Sequence, residues 1–179
     1  MNVAICDYGA GNVRSVELAF ARLGVPRSDD VPAADLAVLP GVGSARAAMA
    51  GLRARGHDLA LRERFEAGRP ILGICLGLQL ALDRSDEDGG VDGLGLVEGR
   101  AVRLREGRVP RIGWAAVDDR GAFYFAHSFS AETPFATAWS EGVVAEVRHG
   151  SFLGCQFHPE KSGPVGAAYL EEPLSLCLA

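Results

Sequence analysis

A cysteine framed by two glycines is the residue whose setting in this sequence points most directly to chemistry. The segment Gly73-Ile74-Cys75-Leu76-Gly77 has the spacing of a nucleophile elbow, a sharp turn between a strand and a helix. Glycines two positions to either side let neighbouring backbone approach closely, and the strained turn holds the thiol exposed at the edge of a sheet. Most free cysteines are small buried hydrophobes, and Cys6, Cys155 and Cys177 lack such a frame and keep that interpretation. We therefore predict that Cys75 is a nucleophile.

A base for this thiol is offered by Gln156-Phe157-His158-Pro159-Glu160, far along the chain. Because Pro159 fixes the backbone, both flanking side chains can point the same way, and the Glu160 carboxylate can orient the His158 imidazole. Taken alone the segment is a weak signal, since His158 could equally cap a strand at the surface. Together with the elbow it predicts the Cys-His-Glu triad of a thiol hydrolase.

Two glycine turns follow predicted strands. Pro40-Gly41-Val42-Gly43 would lie at the same sheet edge as Cys75, where its backbone N–H groups could hold an oxyanion, although an ordinary strand-to-helix turn explains it equally well. Gly9-Ala10-Gly11 resembles a dinucleotide turn but lacks the remaining spacing of that fingerprint, so we exclude NAD binding. Of the other histidines, His57 and His149 are expected to be exposed, and His127 to be a satisfied core or edge residue.

The elements that must position these groups begin with three strand-and-helix units. Strand signals at residues 2–7, 35–39 and 71–74 are each followed by helical spacing, at 13–23, at 45–67 with a break near Gly56, and at 76–82. Such alternation predicts an α/β fold, a single domain with a mostly parallel central sheet flanked by helices.

The second half of the chain changes character. An acidic stretch from Asp83 to Gly95 is expected to be a surface loop, and a last helix is expected from Gly163 until Pro173 stops it. The segments between are short and β-like, and they predict a mixed or antiparallel β extension of the sheet. They lie at about residues 97–104, 111–117, 122–129, 135–140, 143–148 and 152–157.

Composition limits the classes of function. With 179 residues, 48% hydrophobic and 23% charged, the chain has the composition of one globular domain, and its apolar runs are too short to cross a bilayer. The start lacks a basic region and does not look like a signal peptide, so we expect a cytoplasmic protein. A net charge of −5 with scattered basic residues argues against nucleic-acid binding. The cysteines lack metal-ligand spacing, so we expect no metal.

Taken together, these motifs resemble the class I, or triad-type, glutamine amidotransferases. Within that family the sequence is most similar to the glutaminase subunits of imidazole glycerol phosphate synthases, which serve histidine biosynthesis. The resemblance implies a glutamine amidotransferase type 1 domain over residues 1–179. The elbow and the His-Pro-Glu segment are common to the family, whereas the branch is indicated by residues 7–12 (D-Y-G-A-G-N), 112–114 (I-G-W) and 160–163 (E-K-S-G).

The resemblance implies roles for the matching positions. Cys75 would attack the side-chain amide of glutamine, His158 would serve as base and then as acid toward ammonia, and Glu160 would orient His158. A glutamyl thioester would form and then be hydrolysed. No cofactor is implied. Backbone N–H groups of Val42 and Leu76 would hold the oxyanion. The full set expected to hold oxyanion and substrate is Gly41, Val42, Gly43, Leu76, Gln79, His127, Ser128 and Phe129.

The resemblance also implies a protein partner, a (β/α)8-barrel cyclase that forms a heterodimer with the chain and receives its ammonia directly. Asn12, Trp114, Tyr124 and Lys161 match positions that face this partner. Lys161 is the only lysine among 18 basic residues. Departures from the family pattern are Arg111 and Ala115, a shorter segment between Trp114 and Tyr124, and a different final helix at residues 169–174.

Other functions remain open at this point. The chain could be the glutaminase of anthranilate, guanylate or pyridoxal phosphate synthesis, although the D-Y-G-A-G-N start disfavours these. It could also be a non-catalytic scaffold of the same fold. An intact Cys75, His158 and Glu160 argue against a scaffold, because such a protein has no physical need for all three.

Overall fold

Strands and helices alternate through the first half of the chain, as predicted. The computed structural model describes residues 1–9 and 12–177, so Ala10 and Gly11 of the predicted glycine turn lie outside the described residues. The α-helices are α1 (Val13–Arg22), α2 (Ala45–Ala54), α3 (His57–Glu66), α4 (Leu76–Ala81) and α5 (Gly163–Leu176). The strands are β1 (Val3–Ile5), β2 (Arg27–Ser28), β3 (Leu36–Leu39), β4 (Ile71–Ile74), β5 (Leu82–Ser85), β6 (Val91–Asp92), β7 (Val97–Arg103), β8 (Arg111–Ala116), β9 (Ala122–His127), β10 (Phe129–Glu132), β11 (Ala136–Ser140), β12 (Val143–His149) and β13 (Phe152–Cys155).

The central sheet has the strand order β11-β12-β13-β4-β3-β1-β2. Five of these strands, β13, β4, β3, β1 and β2, pair in parallel, and β12 and β11 continue the sheet antiparallel. Strands β3 and β4 are buried at every position, which is the pattern of apolar strands covered on both faces. The predicted α/β class and the mostly parallel sheet are therefore confirmed. The predicted extension holds only for β12 and β11, which are antiparallel, and for β13, which joins in parallel; the strand segments predicted at 97–104, 111–117 and 122–129 instead form separate sheets, because β7 pairs with β5 and β10, and β8 with β9.

Helices cover both faces of this sheet, each over its own apolar cluster. Buried residues of α2, α3 and α4 form one cluster with alternate strand residues such as Leu39 and Ile71. Buried residues of α1 and α5 form the other with Val38, Leu72 and Ile74. The neighbouring parallel strands β13, β4 and β3 end at one edge of the sheet, so the chain segments that follow them meet there.

The predicted surface loop between Asp83 and Gly95 is wrong in part. β5 and β6 form a short antiparallel pair, and β5 also pairs in parallel with β7 in a separate sheet of order β10-β7-β5-β6. The turn between β5 and β6 contains Gly89 and Gly90, both at positive φ, and Leu94 is fully buried. The strands escaped notice because they are short and polar, so hydrophobic periodicity carries little signal there.

The final helix does not stop at Pro173. It runs from Gly163 to Leu176, with Pro173 inside it and buried. A proline removes one helical hydrogen bond and crowds the preceding turn. Here Tyr169, Leu170 and Leu174 all pack into the cluster under α5, and this burial outweighs the lost bond.

His149 and His57 are half-buried, so their predicted exposure is wrong. The ring of His149 packs between two aromatic rings, with centroid distances of 4.0 Å to Phe135 and 5.7 Å to Phe65. Among the helices of the described residues, none is both long and apolar enough to cross a membrane.

Candidate active site

Cys75 occupies a strained turn between β4 and α4. Its backbone has φ 53° and ψ −105°, outside the regions that non-glycine residues ordinarily adopt, and its N–H donates to the Cys155 carbonyl at 2.7 Å. This geometry confirms the predicted elbow. The side chain is only 5% exposed, so the thiol does not stand free at the sheet edge as expected but is reached through a cavity.

Glycine is required where the turn after β3 and the elbow meet. A Cβ on Gly77 would lie 1.9 Å from the Leu39 carbonyl oxygen, and a Cβ on Gly41 would lie 2.3 Å from both the Ile74 oxygen and the Leu76 nitrogen. Any other residue at either position would push the two backbones apart. Gly41 and Gly77 thus hold the Pro40–Gly43 turn directly against the start of α4.

His158 and Glu160 form a buried pair just beyond β13. Nδ1 of His158 lies 2.9 Å from Oε1 of Glu160, and the side chains are 2% and 1% exposed. Pro159 starts a short 3-10 helix, Pro159–Lys161, which turns both side chains to the same side. The Ser162 hydroxyl donates to the His158 carbonyl at 2.7 Å and fixes the start of this turn.

The charge state of His158 is set by two opposing effects. Burial by itself lowers the pKa of an imidazole, but the hydrogen bonds and charges of Cys75 and Glu160 outweigh it and raise the pKa of His158 to about 9. The pair can therefore take up the thiol proton and hold it near neutral pH.

One cavity of about 260 Å³ joins most of the predicted site. Cys75 and His158 both line it, while Glu160 supports His158 from behind. Every residue predicted to hold the oxyanion or the substrate lines this cavity: Gly41, Val42, Gly43, Leu76, Gln79, His127, Ser128 and Phe129.

The turn after β3 can supply oxyanion donors. The N–H of Leu76 begins the first turn of α4, where a helix offers its backbone N–H groups no internal acceptor. Val42, on the turn after β3, lines the same cavity as Leu76 and is 36% exposed. The Tyr8 hydroxyl donates to the Pro40 carbonyl at 2.9 Å and connects the start of the turn to the segment that follows β1.

The carbonyl of Phe129 organises the polar wall of the cavity. It accepts hydrogen bonds from Nε2 of Gln79 and from Nδ1 of His127, both at 2.8 Å. Because a carbonyl only accepts, Nδ1 of His127 carries the hydrogen and Nε2 presents a lone pair. Burial lowers the pKa of His127 to about 4, so its ring is neutral at pH 7.

His127 is therefore buried, as predicted, but not fully satisfied. Nε2 of His127 is buried and has no hydrogen-bond partner among the described residues. Since the ring lines the cavity, this acceptor is available to a ligand.

Glu87 was missed by sequence reasoning. It begins the 3-10 helix Glu87–Gly89 within the predicted surface loop, yet its side chain lines the cavity. Its Oε2 accepts from the Ala45 N–H at 2.9 Å at the start of α2, and burial raises the pKa of the carboxyl. Nothing in the acidic stretch distinguishes Glu87 from its neighbours, so only the fold could reveal it.

Three of the four residues predicted to face a partner lie together beside the cavity. Trp114 is 60% exposed on the ribbon formed by β8 and β9, with its ring 6.1 Å from that of Tyr124. Nζ of Lys161 lies 5.9 Å from the Tyr124 ring, and Lys161 and Ile112 also line the cavity. Asn12 precedes α1, where its side-chain oxygen accepts from the Ser15 hydroxyl at 2.6 Å.

No group of three or more His, Cys, Asp or Glu side chains placed to hold a metal ion occurs in residues 1–9 and 12–177.

The family model and two similar relatives agree on one protein family. The family model of the class-I glutamine amidotransferases matches residues 12–175. The imidazole glycerol phosphate synthase subunit HisH of Carboxydothermus hydrogenoformans is 42% identical, over 93% of this chain and 96% of its own length. The subunit of the same name from Symbiobacterium thermophilum is 43% identical, over 94% and 91%.

Solved structures share the fold at lower identity. A glutamine amidotransferase crystal structure aligns with a TM-score of 0.81 at 20% identity, covering 100% of both chains. PurLQS from Thermotoga maritima aligns with a TM-score of 0.74 at 19% identity, covering 97% of both chains.

Proposed function

This chain belongs to the class-I glutamine amidotransferase family, and from that premise we propose that it is the glutamine-hydrolysing subunit of an imidazole glycerol phosphate synthase in histidine biosynthesis. The observation that carries the proposal is the strained Cys75 facing the same cavity as His158, which is paired with Glu160 at 2.9 Å. The type 1 domain would span residues 1–179, and the subunit would act in the cytoplasm.

In the proposed reaction Cys75 is the nucleophile. Its thiol proton passes to His158, and the sulfur attacks the side-chain amide carbon of glutamine. His158 then returns a proton to the departing nitrogen, and ammonia leaves a glutamyl thioester on Cys75. Water, deprotonated by His158, hydrolyses the thioester to glutamate. Glu160 keeps the imidazole oriented and stabilises its protonated form throughout.

The cavity wall would hold the rest of the substrate. Backbone N–H groups of Val42 and Leu76 would receive the negative charge that develops on the amide oxygen. The Glu87 carboxylate would pair with the α-ammonium group of glutamine, and Gln79 with the backbone of residues 127–129 would hold the amino-acid end. The Glu87 carboxylate and the acceptor Nε2 of His127 in the cavity wall favour an amino acid with an α-ammonium group over a simple amide.

A second subunit would receive the ammonia. We propose a (β/α)8-barrel cyclase docked on the surface formed by Ile112, Trp114, Tyr124 and Lys161, with Asn12 at its margin. Exposed large apolar residues beside a catalytic cavity are typical of a protein interface. Contact there would close the cavity toward solvent, so that ammonia moves into the partner.

The test uses the complete heterodimer. Cys75→Ala is expected to lower the rate of glutamine hydrolysis by roughly ten-thousand-fold. Ring closure supplied with ammonium salt should continue. Loss of both activities would indicate a structural role for Cys75 instead.

Coupling between the subunits is tested separately. We expect glutamine hydrolysis to be slow in the isolated chain and fast once the cyclase and its ligand are bound. Full activity without the partner would contradict this dependence. Another glutaminase of the family remains the second candidate, and ring closure with the cognate cyclase separates the two.

A further inference from the structure

Gln156 lies directly behind the nucleophile. It follows β13, its side chain is fully buried, and its backbone N–H donates to the Ala145 carbonyl at 2.9 Å. The side-chain amide nitrogen, Nε2, lies 3.5 Å from Sγ of Cys75, within hydrogen-bonding distance for sulfur. A buried polar side chain aimed at the reacting atom is a candidate for a role in the reaction itself.

The orientation of this amide is imposed by its neighbours. The carbonyl of Phe129 can only accept, so the group of Gln79 that lies 2.8 Å from it must be the donor Nε2. The same nitrogen lies 3.1 Å from Gln156 and can only donate, so the group it meets must be the acceptor Oε1. The donor end of the Gln156 amide is thereby left to face Cys75.

Besides His158, the sulfur has two polar neighbours of opposite preference. The thiol can donate to the carbonyl of Ala126, 3.8 Å away, and this contact exists only while the sulfur is protonated. The amide of Gln156 donates toward the sulfur, and a hydrogen bond donated to a charged acceptor is stronger than one to a neutral acceptor. Gln156 therefore favours the thiolate.

We propose that Gln156 is a further catalytic residue, whose amide donates a hydrogen bond to the Cys75 thiolate and is held in that orientation by Gln79 and the Phe129 carbonyl. Ionisation moves the Sγ proton to His158 and leaves the electron pair on sulfur, where Gln156 stabilises it. When the sulfur bonds to the substrate carbon this charge disappears, and it returns when the thioester is hydrolysed. The inference rests on the function proposed above.

The test is the pH dependence of alkylation at Cys75. The full chain, alone and with its partner, is treated with iodoacetamide between pH 5 and 10, and modification of Cys75 is followed by mass spectrometry. Cys75→Ala supplies the blank for the other cysteines. In Gln156→Met, which keeps the volume but loses the donor, we expect the midpoint to rise by about one pH unit. Turnover at neutral pH should fall about tenfold with little change in KM.

Gln156→Glu is the second variant, because it keeps the shape and replaces the donor by an acceptor. Its midpoint should rise further than that of Gln156→Met. Unchanged midpoints in both folded variants would overturn the proposal, and a lower melting temperature with an unchanged midpoint would assign Gln156 a packing role only. Alkylation needs no glutamine, so failure of the parent chain to hydrolyse glutamine would be distinguished from failure of this inference.

Discussion

At the scale of single residues, the chemistry depends on a short contact between two side chains. The side chains of His158 and Glu160 are almost entirely buried, so solvent weakens the bond between them little. Its consequence is an imidazole that stays protonated more readily than a free one, with its hydrogen directed at the carboxylate through Nδ1 and the second nitrogen left for the thiol.

Glu160→Gln tests this contact. The amide keeps the shape but removes the charge, so the pKa of His158 should fall toward its ordinary value and the orientation of the ring should be lost. We expect glutamine turnover to drop by roughly a hundred- to ten-thousand-fold. The measurement is kcat for glutamine in the heterodimer, and ammonium-dependent ring closure is the control. A loss of less than tenfold would contradict the orienting role.

Some residues of the site could be identified from the sequence, and others could not. The elbow cysteine and the His-Pro-Glu segment were found because both depend on local spacing. Glu87 and Gln156 were not found, because each acts through a contact with a distant segment that no local pattern encodes. Glu87 meets the start of α2, and Gln156 meets Gln79 and Cys75.

At the scale of elements, the site is assembled by close approach of two turns, one after β3 and one after β4. Gly41→Ala tests that approach. The new Cβ would lie 2.3 Å from the Ile74 oxygen, so the backbone must shift and the oxyanion donors must separate. We expect the free energy of unfolding to fall by roughly 2 kcal/mol and glutamine turnover to fall more than a hundredfold.

Gly24→Ala is the matched control for this variant. Gly24 has φ 75°, and no atom lies within 4 Å of a Cβ built there, so the cost is limited to backbone strain of about 1 kcal/mol. Glutamine turnover should be unchanged. Equal losses of glutamine turnover in the two variants would show that the close approach of the turns after β3 and β4 is not needed for catalysis.

A buried ion network joins the edge of the central sheet to α5. Glu146 is fully buried on β12 and accepts from Arg148 at 2.8 Å, Arg120 at 2.7 Å and Thr137 at 2.7 Å. Arg148 also reaches Glu172 of α5 at 2.6 Å. Glu172 lies in the segment 169–174, which departs from the family pattern. It thus supplies an ion-pair partner that holds α5 against the sheet.

Glu146→Ala should leave two arginines without their buried partner and cost roughly 3 to 5 kcal/mol of unfolding free energy. The half-exposed Glu172→Ala is the control and should cost less than about 1 kcal/mol. Burial tends to raise the pKa of Glu146, but its hydrogen bonds and the arginine charges hold it below the usual value. The contribution of Glu146 to the free energy of unfolding is therefore fully present above the ordinary glutamate pKa. It is lost as the pH falls through the lowered pKa of the folded protein.

Urea unfolding of the parent and Glu146→Ala between pH 7 and pH 3 measures this effect. We expect the difference between them to shrink as the pH falls. A constant difference would mean that packing, and not charge, accounts for the cost.

Elements were predicted well where hydrophobic period and length agreed. The units around β1, β3 and β4 are apolar and bounded by glycine or proline, so their strands and helices were identified with small errors at the ends. β5 and β6 were missed because polar two- to four-residue strands are stabilised by pairing alone. α5 passes Pro173 because tertiary burial overrides a local breaker.

At the scale of the whole molecule, the surface formed by Ile112, Trp114, Tyr124 and Lys161 is the feature that contact with a second protein would explain. Trp114→Ala tests the proposed docking surface, because large aromatic residues carry much of the binding energy of an interface. We expect the dissociation constant of the heterodimer to rise roughly thirty-fold, measured by titration calorimetry. The melting temperature of the isolated chain should change little, since the side chain is 60% exposed.

The second tryptophan provides the matched control. Trp139 is 44% exposed on β11, the edge strand of the central sheet. Trp139→Ala should leave the dissociation constant within about twofold, a change below half a kcal/mol. A larger effect there than at Trp114 would move the docking surface to the edge strand.

The pKa values of the two histidines determine how the charge of the cavity responds to pH. The pKa of His127 lies at about 4 and that of His158 at about 9, on either side of the range in which an ordinary imidazole titrates. Between about pH 5 and 8 the protonation state of neither ring in the resting protein follows the pH of the solvent. His127 is a constant neutral acceptor, and His158 gains and loses its proton by transfer within the site, so these rings give the cavity little buffering capacity across the physiological range.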